Sequence, residues 1–205
     1  MKPTRERILD AAAKLMRSQG LARTTTKAIA AALGLSEPAL YRHFASKEEL
    51  FLVVLRERLP GFIGALMHLP QRLGKGALAA TLEEIARAAL EFFAETISMA
   101  GSLFSEPALL DRHRDAMRER GVGPQLAVPR LAWYLGAEQR MGRLPEGLNP
   151  EAAAAMLIGA CFHRAFIQRF LGETPSDREQ RQFAKALVST LLRPERPGRR
   201  SRRKR

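Results

Sequence analysis

The sequence predicts an all-α protein. Apolar residues recur every three to four positions along most of the chain, and no stretch alternates apolar and polar residues as a half-buried strand does. β-Branched residues are sparse, and Gly, Pro, Ser and Asn separate the periodic segments. The 205 residues, 46% of them hydrophobic and 27% charged, are enough to bury a core without disulfides or metals.

Caps and glycines predict helices in the N-terminal quarter of the chain. The first helix runs from about Thr4 to Ser18, and Gly20 suits the left-handed backbone that ends a helix. A second helix follows the threonine hydroxyls at positions 24–26 and extends to Leu33, where Gly34 closes it.

Two further signals predict the next pair of helices. Ser36 caps a very short third helix that carries Pro38 in its first turn and ends near Phe44. The Ser-Lys-Glu-Glu segment at 46–49 has the pattern of a capping box and opens a fourth helix. Pro60-Gly61 is expected to kink or end that helix.

The remaining two thirds of the chain predict five or six more helices. Asn149, followed by a proline and a glutamate, is an N-cap signal, and Ser176-Asp-Arg-Glu179 is another capping box. The expected spans are Gly76–Ala100, Glu106–Arg120, Pro124–Gly142, Pro150–Leu171 and Asp177–Leu192.

The excess positive charge lies at the two ends of the chain. The net charge is +13. Residues 1–47 hold nine Lys or Arg against three Asp or Glu, and residues 193–205 hold eight against one, whereas residues 48–192 are balanced. A basic N-terminal segment indicates a polyanionic partner. The basic tail is expected to be disordered, and it serves either as a solubilising segment or as an arm that adds phosphate contacts.

Several function classes find no support in the sequence. One cysteine excludes an internal disulfide and a cysteine-based metal site, and the four histidines are scattered, so no metal or cofactor is expected. The longest uncharged apolar run, Ala152 to Phe162, is too short to span a bilayer. The N-terminal segment has no apolar core of the kind that a signal peptide requires. We therefore expect a cytoplasmic protein without a membrane partner. No catalytic motif is present, which argues against an enzyme.

The segment from Thr25 to Lys47 has the spacing of a helix-turn-helix. Two short helices flank a tight glycine-containing turn, and Leu40 and Phe44 lie four residues apart on the buried face of the second. Its opposite face would then enter the DNA major groove. Arg42 suits a guanine or a phosphate, Tyr41 and His43 suit phosphate oxygens, and small apolar side chains suit a thymine methyl.

The stretch from Gly20 to Leu50 closely resembles the DNA-binding domain of TetR-family transcriptional regulators. The motifs Gly-Leu-Ser at 34–36, Leu-Tyr-Arg-His-Phe at 40–44 and Ser-Lys-Glu at 46–48 occur in the family's order and spacing. The resemblance covers about residues 5–55 and implies an all-α dimer that binds a palindromic double-stranded DNA operator. Thr26 replaces an apolar residue that is commoner in the family, and Pro38 replaces a commoner glycine.

The resemblance also implies roles for individual residues. The predicted phosphate contacts are Thr25, Ser36, Tyr41, His43 and Lys47. The predicted base contacts are Glu37, Pro38, Ala39 and Arg42.

The C-terminal region is expected to hold the dimer interface. The helix over 150–171 is apolar all round for its first three turns, so two sides of it should be buried, one of them against a second copy. The last helix carries an apolar stripe that can complete a four-helix bundle between two subunits. The candidate interface residues are Ala152, Ala155, Gly159, Phe183, Leu187 and Leu191.

The charge-balanced middle of the chain can also hold a small ligand. Its large side chains predict an apolar or aromatic ligand with few charges. The candidate pocket residues are Phe92, Phe93, Met99, Phe104, Met117, Trp133, Tyr134, Phe162 and Phe166.

These predictions combine into a domain plan with two functional alternatives. Residues 1–47 form the helix-turn-helix domain, a helix over 47–60 links it to a helical ligand-binding and dimerisation domain over 48–192, and residues 193–205 form the tail. The leading hypothesis is a ligand-responsive repressor. The alternative is an architectural, chromosome-organising DNA-binding protein without a small-molecule ligand.

Overall fold

The computed structural model describes residues 3–58 and 61–193, except for the side chains of residues 98 and 102. These residues form eleven α-helices and one 3₁₀ turn, and no strand occurs among them, which confirms the all-α prediction. The predicted tail lies, from residue 194 onward, outside the described residues, and so does Pro60.

The helices follow one another with short connections. The N-terminal four are α1 (Thr4–Gln19), α2 (Thr26–Ala31), α3 (Glu37–Tyr41) and α4 (Lys47–Glu57). The others are α5 (Phe62–Met67), α6 (Leu69–Arg72), α7 (Leu78–Phe104), α8 (Pro107–Glu119), α9 (Ala127–Arg140), α10 (Pro150–Leu171) and α11 (Asp177–Leu191). We call α1–α4 the head and residues 62–191 the body.

The predicted helix caps are present with one change. The Thr25 hydroxyl accepts from the Ala28 N–H at 3.0 Å, and Asn149 and Ser176 cap α10 and α11 as expected, Ser176 within a full capping box. At α4, Ser46 accepts from the Glu49 N–H, but the Glu49 carboxylate accepts from Ala45 instead of closing the predicted box on Ser46.

Several boundaries differ from the predicted ones, since α2 ends at Ala31 before the predicted Leu33 and α3 ends at Tyr41 before the predicted Phe44. Helix α7 continues past Ala100 to Phe104 because Leu103 packs into an apolar cluster, which outweighs the helix penalty of Gly101, about 1 kcal/mol. The predicted helix over 124–142 starts as a 3₁₀ turn, and α9 begins at Ala127, so Pro129 falls in its first turn, where a missing N–H is tolerated. The short helices α5 and α6 were not predicted.

The apolar residues form two clusters, one in each region. The head cluster contains the buried face of α1 together with residues of α2, α3 and α4, and it also takes in Met99 and Leu103 from α7 and Leu109 from α8. The body cluster joins α5, α6, α7, α9, α10 and α11, with α10 packed between α7 and α9. The core of the head therefore extends beyond residue 47 and is completed by the body.

No helix within the described residues has both the length and the apolar character that a membrane span requires.

Candidate nucleic-acid interface

The turn between α2 and α3 is closed by backbone hydrogen bonds. The Leu35 N–H donates to the Ala30 carbonyl at 2.9 Å, and the Gly34 N–H donates to the Ala31 carbonyl at 3.2 Å. Gly34 adopts φ +65°, a left-handed conformation that favours glycine. This turn sets α3 against α2 in the arrangement of a helix-turn-helix.

Helix α3 buries one face and exposes the other. Leu40 is fully buried, and Phe44 just after the helix is 3% exposed, as their spacing of four predicts. Pro38, Tyr41 and Arg42 are exposed on the outer face. Of the other predicted contacts, Thr25, Ser36 and His43 are exposed, and Glu37, Ala39 and Lys47 are half-buried.

A polar link joins α3 to the start of α2. The Tyr41 hydroxyl donates to Thr26 Oγ1 at 3.4 Å, and the Thr26 hydroxyl donates to the Glu37 carboxylate. Thr26 is 6% exposed. The family commonly has an apolar residue at this position, and here the buried hydroxyl of Thr26 is satisfied by two hydrogen-bond partners on α3. The Glu37 carboxylate points toward α2 in this structure, whereas its predicted partner was a base.

Lys47 is the first residue of α4 and is half-buried. Its ammonium nitrogen stands 5.2 Å from the centroid of the Phe51 ring, a cation–π contact. Burial lowers the pKa of Lys47, against the opposing effect of Glu48, and nearby Arg112 lowers it further. The contact with Phe51 orients the ammonium group at the N-terminus of α4.

The basic side chains of the head fall into two groups. Arg5 makes two hydrogen bonds of 3.0 Å to Glu57, and Arg17 bonds to Glu95 of α7 at 2.9 Å, so both charges are neutralised within the protein. Lys27 and Arg42 form no ion pair with any residue that the structure describes. Lys27 was not singled out in the sequence. It is exposed two residues after Thr25 and adds a cation to the same surface.

Ion pairs fasten α1 to the end of α4. Arg58 directly follows α4, and its guanidinium donates to Asp10 at 2.8 Å and also to Glu6. Arg17 donates to the Arg58 carbonyl at 3.0 Å. The two arginines and the carboxylates of α1 and α7 thereby fix the position where the head meets the body.

The nine side chains predicted to line a ligand pocket do not surround one cavity. Met99 belongs to the head cluster, Phe104 is 73% exposed, and Trp133 lies in a surface groove on α9. Tyr134 is fully buried in the body cluster, and Met117 is half-buried on α8. These five side chains therefore lie in different parts of the structure, because side-chain size can be read from the sequence but the element against which each one packs cannot.

Four of the predicted pocket residues instead form part of a row of phenyl rings. Ring centroids lie 5.6 Å apart for Phe92 and Phe93, 5.3 Å for Phe93 and Phe162, and 6.4 Å for Phe162 and Phe166. Phe170 continues the row at 6.2 Å. The row runs from the half-buried interior of the body out to the exposed face of α10.

The predicted interface residues lie on two neighbouring surfaces. Ala152, Ala155 and Gly159 are exposed on α10, and Phe183, Leu187 and Leu191 are half-buried along α11. Six large apolar side chains on α10 are also exposed, and of these the sequence predicts a role, as pocket residues, for Phe162 and Phe166. The six are Met156, Phe162, Phe166, Ile167, Phe170 and Leu171.

Residues with metal-binding chemistry do not cluster within the described ranges, where no group of three His, Cys, Asp or Glu side chains could hold a metal ion. Cys161 is fully buried, its thiol faces the Ala86 carbonyl at 3.5 Å, and burial raises its pKa to about 12. The thiol is therefore protonated at neutral pH and acts as a small core residue.

Two family models match the chain. The model described as bacterial regulatory proteins, tetR family, matches residues 8–54, and the model described as the C-terminal domain of an AefR-like transcriptional repressor matches residues 80–194. Together they cover the helix-turn-helix and most of the body.

Individual relatives agree with these models. The chain is 29% identical over 167 residues to an uncharacterized HTH-type transcriptional regulator, YvkB, of Bacillus subtilis, covering 80% of this chain and 84% of the relative. It is 29% identical over 175 residues to the nucleoid occlusion factor SlmA of Marinobacter nauticus, covering 83% and 85%.

A solved structure shares the fold over nearly the whole chain. The transcriptional regulator FadR from Bacillus subtilis, in complex with stearoyl-CoA, superposes with a TM-score of 0.64 at 16% identity, covering 91% of this chain and 97% of the other. The helix-turn-helix geometry, the two family models and this fold lead to one conclusion: the chain belongs to the TetR family of DNA-binding transcriptional regulators, which are not enzymes.

Proposed function

We propose that this protein is a homodimeric, ligand-responsive repressor that binds a palindromic operator through two copies of α3. The observation that carries the proposal is the outer face of α3, where Arg42 is exposed and unpaired among the described residues while Leu40 on the inner face is fully buried. Arg42 and Pro38 are proposed to face base edges, and Tyr41, His43 and Lys47 to contact phosphates. The cytoplasm, where bacterial DNA lies, is the proposed location.

The proposed dimer forms through the exposed face of α10. Most of its large exposed side chains are apolar, and among them Phe170 is 77% exposed and Met156 66% exposed. Exposed large apolar side chains concentrated on one helix mark an interaction site. A twofold axis through it would bring α10 and α11 of two subunits into a four-helix bundle.

The dimer would set the distance between the two copies of α3. Successive major grooves on one face of B-DNA are about 34 Å apart, so each α3 can enter a groove only when the subunits hold this spacing. A ligand that binds more tightly to a conformation with another spacing would weaken operator binding. The size of this effect is set by the ratio of the ligand's affinities for the two conformations.

Helix α4 is the proposed element that transmits the change. It contributes Leu50, Phe51 and Val54 to the head cluster, and it contacts α8 of the body. Arg112 of α8 donates to Glu48 at 3.2 Å, and His113 beside it is 3% exposed. A shift of α8 would therefore act on the first turn of α4, which carries Lys47.

Selection of bound duplexes from a random DNA pool, with the full-length protein, tests the regulator proposal. We expect recovery of a small set of palindromes that bind one dimer each, as measured by mass photometry or light scattering. Recovery of one half-site per monomer, or no preference among sequences at moderate ionic strength, would contradict it.

The second candidate function is that of an architectural DNA-binding protein. It is favoured by the similarity to a nucleoid occlusion factor over 83% of the chain and by the eight Lys or Arg residues in the last thirteen positions. Mapping of binding sites along the chromosome separates the two candidates. One or a few sites support a regulator, and hundreds of loosely related sites support the architectural function.

A further inference from the structure

A surface groove on the body combines apolar walls with one cationic group. It lies between α5 and α6 on one side and the 3₁₀ turn and α9 on the other, and it has a volume of about 320 Å³. Leu66, Pro70, Leu126 and Trp133 form its apolar walls, and Arg130 of α9 lies along it. This volume suits a small molecule, since ligand pockets begin at about 300 Å³.

The guanidinium of Arg130 lacks an anionic partner in the described part of the chain. Among the described residues, this guanidinium contacts the thioether sulfur of Met67, which is a weak acceptor. A guanidinium has five N–H donors, so most of them are left for a ligand or for water. Several other arginines of the body, in contrast, are paired with acids. Arg72 bonds to Glu84 at 2.5 and 2.9 Å, and Arg143 lies 2.9 Å from Glu138.

We propose that this groove binds a small carboxylic acid with an aromatic or short aliphatic body. The carboxylate pairs with Arg130, a geometry in which two parallel N–H···O bonds form. The apolar part of the acid lies against Leu66 and the indole of Trp133, which is 49% exposed and available for contact. This inference rests on the proposed ligand-responsive function and assigns its ligand class and site.

The position of the groove connects an occupant to the DNA-binding region. Two of its wall residues, Leu66 and Met67, belong to α5, which follows α4 after a connection of four residues. An acid between α5 and α9 sets the distance between these two helices. A change in this distance would move α5 and, through the short connection, α4. Because α4 carries Lys47 at its other end, the DNA-facing surface would move with it.

Trp133 is the single tryptophan of the chain, so its fluorescence reports directly on the groove. The experiment titrates the full-length protein with benzoate, phenylacetate, 4-phenylbutanoate and octanoate, and with the neutral amide of each. We expect at least one acid to shift the emission of Trp133 and to bind at least about tenfold more tightly than its amide, because a hydrogen-bonded charge pair is lost in the amide. Calorimetry checks the affinity independently of fluorescence.

Two variants on the same helix make the test specific. R130Q should reduce the affinity for that acid about tenfold to a hundredfold and remove its advantage over the amide. R140Q is the matched control, because Arg140 is an exposed arginine of α9 outside the groove. It should bind the acid as the unmodified protein does.

Three results would overturn the inference: binding of no acid in the series, equal binding of acids and amides, or equal losses in R130Q and R140Q. Operator binding is measured on the same preparations. If the protein selects a palindrome while no acid affects Trp133, the groove assignment fails and the regulator proposal stands. If acids bind through Arg130 and no DNA sequence is preferred, the regulator proposal fails instead.

Discussion

The head and the body present opposite kinds of surface. On the head, the exposed face of α3 and the residues around it carry polar and basic side chains such as Tyr41, Arg42 and Lys27. On the body, the exposed face of α10 carries phenylalanines and small residues, and residues 48–192 have no net charge. The contrast indicates two kinds of partner, one bound through charge and weakened by salt, the other bound through removal of apolar area from water.

The cores of the two regions are less separate than their surfaces. Arg17 of the head bonds to Glu95 of the body, and the Leu21 N–H donates to the Met99 carbonyl at 3.4 Å. Met99 and Leu103 complete the apolar cluster of the head. The head is thus a distinct functional surface built on a shared core, so a change in α7 can reach the DNA-facing helices through direct packing.

The largest expected effect tests the apolar surface. In F166D, a carboxylate replaces a phenyl ring on the exposed face of α10, and burying it against a second subunit without a partner is strongly unfavourable. We expect a monomer by light scattering at micromolar concentration and, since one α3 then binds alone, a loss of operator affinity of at least about a hundredfold.

The matched control is F104D, because Phe104 is a phenylalanine that is 73% exposed at the end of another helix, α7. It should remain dimeric with nearly unchanged operator affinity. A dimeric F166D, or a monomeric F104D, would remove α10 from the proposed interface.

The next prediction tests the shared core. Met99 is 1% exposed within the head cluster, so M99A should lower the free energy of unfolding by about 2–5 kcal/mol, as cavity-forming core substitutions do. Met141 is 55% exposed, and M141A should change the free energy of unfolding by no more than about 0.5 kcal/mol. Urea denaturation of both variants provides the measurement, and similar values for the two would show that α7 adds little to the head.

The third prediction divides the polar surface into base and phosphate contacts. R42A should reduce affinity for the selected operator by about 1–3 kcal/mol and relax the preference at one base pair. K47A should weaken binding to every duplex alike and reduce the slope of log K against log salt by about one.

Affinities for the operator and for a scrambled duplex, each measured across a series of salt concentrations, separate the two outcomes. K185A is the control, because Lys185 is exposed on α11 of the body. An unchanged salt slope in K47A would argue against a phosphate contact at that position.

The smallest expected effect concerns the ion pairs between α1 and α4. Hydrogen bonds from Arg5, and then from Arg56, lower the pKa of Glu57 from 4.5 to about 2. Since the folded pKa is depressed, this carboxylate stabilises the fold above pH 4.5, and its contribution is lost as the pH falls toward 2. E57Q should therefore be less stable than the unmodified protein at pH 7, by about 1 kcal/mol for a partly exposed pair.

Urea denaturation of both proteins between pH 7 and pH 2.5 measures this difference. It should be constant above about pH 5 and should shrink below it. A difference that stays the same down to pH 2.5 would mean that Glu57 acts through packing and not through its charge.

Local chemistry explains why so much of the helical framework is predictable. The spans of α1 and α10 agree with their predicted bounds to within a residue, because Gly20 follows the end of α1, Asn149 caps the start of α10 and Gly172 follows its end. The short helices α5 and α6 were missed because, unlike the similarly short α2 and α3, neither begins with a side-chain cap, and packing against the body cluster supports them instead.

Side-chain roles in the body were less accessible than those in the head. In the helix-turn-helix, a spacing of four between Leu40 and Phe44 was sufficient to separate the buried face from the exposed face. In α10, nearly every residue of the first three turns is apolar, so the pattern could not distinguish the buried Leu157 from the exposed Met156. Phe162 and Phe166 were assigned to a pocket for the same reason, and the structure places both on the exposed face.

The sequence alone determined the all-α class, the caps, the turn at Gly34, the outward position of Arg42 and the excess of positive charge at the ends, because each depends on neighbours within a few residues. The tertiary structure decided that Met99 completes the core of the head, that Glu37 bonds to Thr26, and that Arg130 meets a thioether in an apolar groove. These pairings join residues far apart in the chain or on different helices, and their partners are set by how the helices pack, which local periodicity does not encode.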